Sequence, residues 1–104
     1  MQETRKQLED TGISEVVIEE ICQLAKKYNI QKVVLFGSRA RGDYRERSDI
    51  DLAVSGGNIT EFSLDVDELT STLLKYDIVN LDRSVQPELR IAIQQEGRII
   101  YEKI

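Results

Sequence analysis

From Ser14 to Glu102 the hydrophobic pattern switches repeatedly between a helical repeat and short strand-like runs. That alternation limits the chain to folds in which helices pack on a sheet. Val17, Ile21, Leu24 and Tyr28 recur at helical spacing, so a helix is expected over Ser14–Tyr28. Ser14 is placed to cap it, with Ile13 and Ile18 at the two positions of a hydrophobic staple. Lys26 and Lys27 suit its negative end, and Asn29 suits a left-handed stop. Lys32–Phe36 is short, apolar and β-branched, which predicts a buried strand. Residues 38–42 are expected as one helical turn and 43–48 as a charged loop. Asp49–Val54 alternates, with Ile50, Leu52 and Val54 on one face and Asp49, Asp51 and Ala53 on the other. After the turn cluster Ser55–Asn58, a second long helix is expected over Thr60–Lys75, with Val66, Leu69 and Leu73 as its inner stripe. Tyr76–Leu81 reads as a third strand. Pro87 opens a helix that ends at Gly97, with Leu89, Ala92 and Ile93 facing inward, and Arg98–Glu102 reads as a last strand. The expectation is an α/β (α+β) domain over residues 1–104, a mixed four-stranded sheet flanked by helices, with residues 1–12 irregular or frayed.

Composition narrows the chemistry. There is no histidine, which excludes Ser-His-Asp and Cys-His catalysis and His-ligated zinc. A single cysteine, Cys22, cannot form an internal disulfide or a cysteine cluster, and is expected as a small buried hydrophobe. A metal site must therefore use oxygen ligands, which favours Mg²⁺, Mn²⁺ or Ca²⁺. No apolar run approaches the roughly 20 residues that span a bilayer. Residues 1–7 are polar and carry no apolar signal core, so a cytoplasmic protein without membrane attachment is expected. The net charge of −5 makes generic nucleic-acid binding unexpected. Against that balance, Arg39, Arg41, Arg45 and Arg47 cluster with only Asp43 and Glu46 among them. Two readings stand: a solvated loop, or an anion site built on guanidinium forks. Tyr44, in that loop, is a candidate for stacking on a base or touching a partner.

Three local features point to chemistry. Gly37-Ser38 follows a strand and opens a turn, where a missing side chain, free amides and a hydroxyl suit phosphate; a plain strand-ending turn explains the same dipeptide. Asp49 and Asp51, two apart on a strand, point the same way and repel unless a cation lies between them; an edge strand with a solvated acidic face is the competing reading. Asp77 begins a strand that fits beside Asp49–Val54 and supplies a third carboxylate, or is an ordinary strand-end residue. Asp82 reads as a turn or capping residue.

Together these residues resemble a known family. Leu35-Phe36-Gly37-Ser38-Arg39-Ala40-Arg41-Gly42, followed by Ser48-Asp49-Ile50-Asp51-Leu52-Ala53-Val54 and Tyr76-Asp77-Ile78-Val79-Asn80-Leu81, resembles the signature of the DNA polymerase β-type nucleotidyltransferases, specifically the minimal nucleotidyltransferases (MNT). The likeness runs over roughly residues 14–102. It implies the nucleotidyltransferase core, with Gly37 and Ser38 on the β- and γ-phosphates of a nucleoside triphosphate. Asp49, Asp51 and Asp77 would be the catalytic carboxylates and the ligands of two Mg²⁺ ions, Mn²⁺ being an alternative. Asp77 would also help deprotonate the acceptor hydroxyl. Arg39 would reach phosphate; for Arg41, a phosphate contact and a loop-shaping role stand level. Asn80 replaces an aspartate common in the family, at a position that is not a core metal ligand.

The resemblance further implies AMP transfer from ATP to a hydroxyl. Larger relatives carry acceptor-binding domains for which this chain has no residues to spare. The acceptor is then expected to be small or supplied by a partner protein, and the resemblance to the MNT proteins implies a tyrosine of a helical HEPN-type partner, the chain acting as the antitoxin of a toxin–antitoxin pair. Alternatives are a nucleotide-binding subunit without transfer activity, transfer to a small hydroxylated molecule, or a purely structural domain. An oligomer is compatible with all of these.

Overall fold

The computed structural model describes residues 8–104. Helix α1, Glu15–Lys27, begins where its cap predicts: the Ser14 hydroxyl accepts the Val17 N–H at 3.3 Å. Ile13 and Ile18 are both buried, as a staple requires. Val17, Ile18, Ile21 and Ala25 form the buried stripe, Leu24 and Tyr28 pack at its margin, and Asn29 takes the left-handed conformation at φ 57°. Of the residues expected to be frayed, 1–7 lie outside the described residues. Residues 8–12 instead form packed turns, because Leu8 and Thr11 are buried in the core.

Strand β1 (Lys32–Phe36) leads into the one-turn helix α2 (Ser38–Arg41), then strand β2 (Ile50–Ser55), helix α3 (Ile59–Leu69), strand β3 (Tyr76–Asn80), helix α4 (Pro87–Glu96) and strand β4 (Arg98–Glu102). The sheet order is β3-β2-β1-β4. β1 runs antiparallel to both β2 and β4, whereas β2 and β3 are parallel, joined through α3. The sheet is thus mixed, as expected.

Each face of the sheet has its own core. Ile50, Leu52 and Val54 join the large cluster under α1 and α3. Ala53, Val34 and Phe36 pack with Ile93 of α4 on the opposite face. The strand-period alternation of β2 therefore separates two apolar layers, and its Asp51–Ala53 face is covered only where α4 reaches.

The second long helix departs from expectation. It ends at Leu69, not Lys75, and its inner residues are Ile59, Phe62 and Val66. Leu69 and Leu73, expected inside, are exposed. The cause lies in the Thr70–Thr72 run, whose side chains compete for the backbone. Thr70 turns extended at ψ 152°, donates its hydroxyl to the Val66 carbonyl at 2.7 Å and lies 2.8 Å from the Tyr76 hydroxyl. Ser71 gives its N–H and hydroxyl to the Glu20 carboxylate of α1 at 2.8 and 2.7 Å.

Candidate active site

The ends of β1, β2 and β3 bring the sequence candidates together. Antiparallel pairing sets Phe36 opposite Asp51, so the chain leaves β1 at Gly37 against the Asp51 carboxylate. Gly37 adopts φ 77°, and a Cβ built there would overlap Asp51 Oδ2. Both the backbone conformation and the contact demand glycine. Replacing Gly37 by Ala is expected to cost about 1–3 kcal/mol of stability and to displace Asp51; urea unfolding checks the first and nucleotide titration the second.

Parallel pairing aligns Asp51 directly with Asp77 on β3. Asp49 precedes β2 and shares Asp51's side by the two-residue repeat. Asp49 and Asp77 are exposed and Asp51 is half-buried. Burial, then the Asp77 and Asp49 charges, push the Asp51 carboxyl up to about 6, against the pull of the nearby Arg41 guanidinium. Among the described residues no three such donors already stand close enough to hold one ion. Mutual repulsion of like charges favours that spacing. The set is all oxygen, shares one side of the sheet end and carries a repulsion that a divalent cation relieves, so its chemistry fits Mg²⁺.

Ser38 begins α2, next to this cluster, and is partly exposed. The two arginines of the turn have separate fates. Arg39, expected on phosphate, is 1% exposed and spends its guanidinium on three backbone carbonyls: Ser48 through Nε at 3.0 Å, Thr11 at 2.9 Å and Glu46 at 3.1 Å. Tyr44 covers it at 4.8 Å, so this tyrosine is occupied by packing. A planar fork with several donors suits such a buried junction. Arg39 therefore ties residues 11, 46 and 48 together just ahead of Asp49. Arg41 is the guanidinium beside the carboxylates. It donates to Asp43 at 3.2 Å and to both oxygens of Glu96 at 3.3 and 3.1 Å.

Glu96, absent from the sequence candidates, also accepts the Gly37 N–H at 3.0 Å. One signal marks it in the sequence: an acidic residue at the C-terminal end of a helix opposes the helix dipole and needs another reason to be there. Asp82 behaves as the expected turn residue, accepting the Gly56 N–H at 2.8 Å while its own N–H meets the Asn80 side chain. Cys22 is partly buried and donates to the Ile100 carbonyl.

A glycine-serine turn at the end of one strand faces Asp51, and the parallel neighbour of that strand carries a third aspartate, which is the arrangement implied by the resemblance to nucleotidyltransferases. Residues 19–104 match the family described as polymerase beta, nucleotidyltransferase. The chain is 36% identical over 89 residues, 75% of its length and 87% of the relative's, to a Methanocaldococcus jannaschii protein named "Putative protein adenylyltransferase". The chain belongs to the polymerase β-type nucleotidyltransferase family. Among solved structures it resembles a minimal nucleotidyltransferase (31% identity, TM-score 0.60, covering 77% of this chain and 85% of that one). It also shares its fold with a chain of a toxin–antitoxin complex crystallised with AMP-PNP (24% identity, TM-score 0.65, covering 83% of this chain and 73% of that one).

Proposed function

We propose that this nucleotidyltransferase moves AMP from ATP to a hydroxyl of a partner protein, a tyrosine of a HEPN-type helical protein, as the antitoxin of a toxin–antitoxin pair. One observation carries the reading: the parallel register that sets Asp77 beside Asp51, with the Gly37 backbone against the Asp51 carboxylate. The name of the archaeal relative and the toxin–antitoxin neighbour support the choice of acceptor.

In this reading Gly37 and Ser38 hold the β- and γ-phosphates through backbone N–H groups and the hydroxyl. Asp49, Asp51 and Asp77 hold two Mg²⁺ ions, which when bound offset the triphosphate charge and ease deprotonation of the acceptor. The acceptor oxygen attacks the α-phosphorus. A new P–O bond forms as the bond to the bridging oxygen of the β-phosphate breaks, and pyrophosphate departs. Asp77, exposed on the edge strand, takes the acceptor's proton.

The test uses ATP labelled on the α-phosphate, Mg²⁺ and the co-purified partner. Label is expected on the partner with the wild-type chain and at background with Asp49→Asn/Asp51→Asn. Equal label with both chains, or none with either while the partner stays bound, rejects the reading.

A further inference from the structure

Two donors of the Gly37–Arg41 turn beside the carboxylates, the Gly37 N–H and the Arg41 guanidinium, are both engaged by one carboxylate. Glu96 Oε1 takes the Gly37 N–H at 3.0 Å, and the two Glu96 oxygens take Arg41 at 3.3 and 3.1 Å. Its side chain is 19% exposed, while that of Arg41 is 46% exposed. The arrangement is costly on electrostatic grounds. Glu96 stands at the C-terminal end of α4, where the dipole disfavours an anion, and it adds negative charge beside Asp51. Charge-assisted bonds to the Gly37 amide and Arg41 offset that cost.

We propose that Glu96 is a built-in substitute for a nucleotide phosphate: it occupies the anion seat in the free protein and must leave when Mg-nucleotide binds. The proposal rests on the nucleotidyltransferase reading of the site. Arg41 is the moving counter-ion, transferred from Glu96 to a phosphate oxygen, and its ties to Asp43 keep it at the rim. Nucleotide binds only the fraction of molecules with Glu96 unseated, so the apparent affinity is reduced by that fraction. The carboxylate thereby sets a nucleotide threshold for the enzyme.

Titration calorimetry of the full chain with the magnesium complex of α,β-methylene-ATP, which is uncleavable at the bond that breaks, tests this. Glu96→Ala removes the substitute phosphate. Glu96→Asp keeps the charge but is one methylene short of the Gly37 amide. Both are expected to bind about tenfold more tightly than wild type, since a charge-assisted hydrogen bond of this kind is worth about that much. Arg41→Ala should cost more affinity in the Glu96→Asp background than in wild type, because in wild type the lost phosphate contact is partly offset by no longer breaking the Arg41–Glu96 pair.

Weaker binding in both Glu96 variants makes Glu96 an organiser of the turn and overturns the proposal. A gain in Glu96→Ala alone reduces its effect to bulk charge and overturns it equally. Nucleotide binding by wild type with unchanged affinity in the variants rejects the substitute alone; no binding by any chain rejects the nucleotidyltransferase reading with it. Thermal unfolding of each variant confirms that it is folded, and Glu96→Asp carries the test if Glu96→Ala is not.

Discussion

Asp51→Asn is expected to stabilise the free protein at neutral pH while reducing transfer by about 10²–10³-fold or more. The Asp51 carboxyl is pushed from 3.8 to about 6 by burial and by the Asp77 and Asp49 charges. The folded chain therefore holds this proton more tightly than the unfolded chain does. The associated stability is fully present below about pH 4, declines as pH rises between the two values and is gone above about 6. At neutral pH the wild type carries an ionised, half-buried carboxylate among like charges, and the amide removes it. Solvent access tempers the gain to an order of 1 kcal/mol, or about 4–8 °C in Tm for a domain of this size. The advantage should disappear when thermal unfolding is repeated near pH 4. A variant less stable than wild type at neutral pH would show that Asp51 contributes more through hydrogen bonding than it costs in repulsion. The same titration gives a metal effect: Mg²⁺ competes with the proton, so Mg²⁺ stabilisation of the wild type should grow as pH rises through about 6 and be weak in Asp51→Asn.

The second large effect concerns Arg39. Removing its side chain strands the Thr11, Glu46 and Ser48 carbonyls and opens a void under Tyr44. Arg39→Ala is expected to destabilise the fold by about 3–5 kcal/mol, a large part of the stability of a small domain. Arg39→Lys should recover only a fraction, since an ammonium cannot serve three carbonyls spread around a planar fork. Urea unfolding measures both. A phosphate-binding role predicts the opposite pattern: stability within about 0.5 kcal/mol of wild type and a selective loss of nucleotide affinity. Activity lost by Arg39→Ala at temperatures where it remains folded would reflect the loop leading into Asp49, which Arg39 anchors through the Ser48 carbonyl.

Asp49, Asp51 and the Gly37-Ser38 turn were legible because their placement follows from local rules. Alternation along one strand puts the two carboxylates on one side, and a strand running into glycine and serine makes the turn. The Ser14 cap, the Ile13–Ile18 staple and the Asn29 stop were legible for the same reason. Helical periodicity, by contrast, overran the end of α3, because Leu69 and Leu73 continue an apolar repeat that the side-chain bonds of Thr70 and Ser71 interrupt.

The order of helices and strands, the mixed α/β class and the residue types available for chemistry can all be read along the chain, since each depends on near neighbours and composition. Which of those residues meet depends on how the elements pack. The parallel register places Asp77 beside Asp51 across the α3 crossover. Packing buries Arg39 among backbone carbonyls and leaves Arg41 exposed near Asp51. Glu96 reaches Gly37 from 59 residues further along the chain. Strand register and long-range side-chain contacts depend on how whole elements pack, and a local repeat holds no information about the distance between residues on different elements.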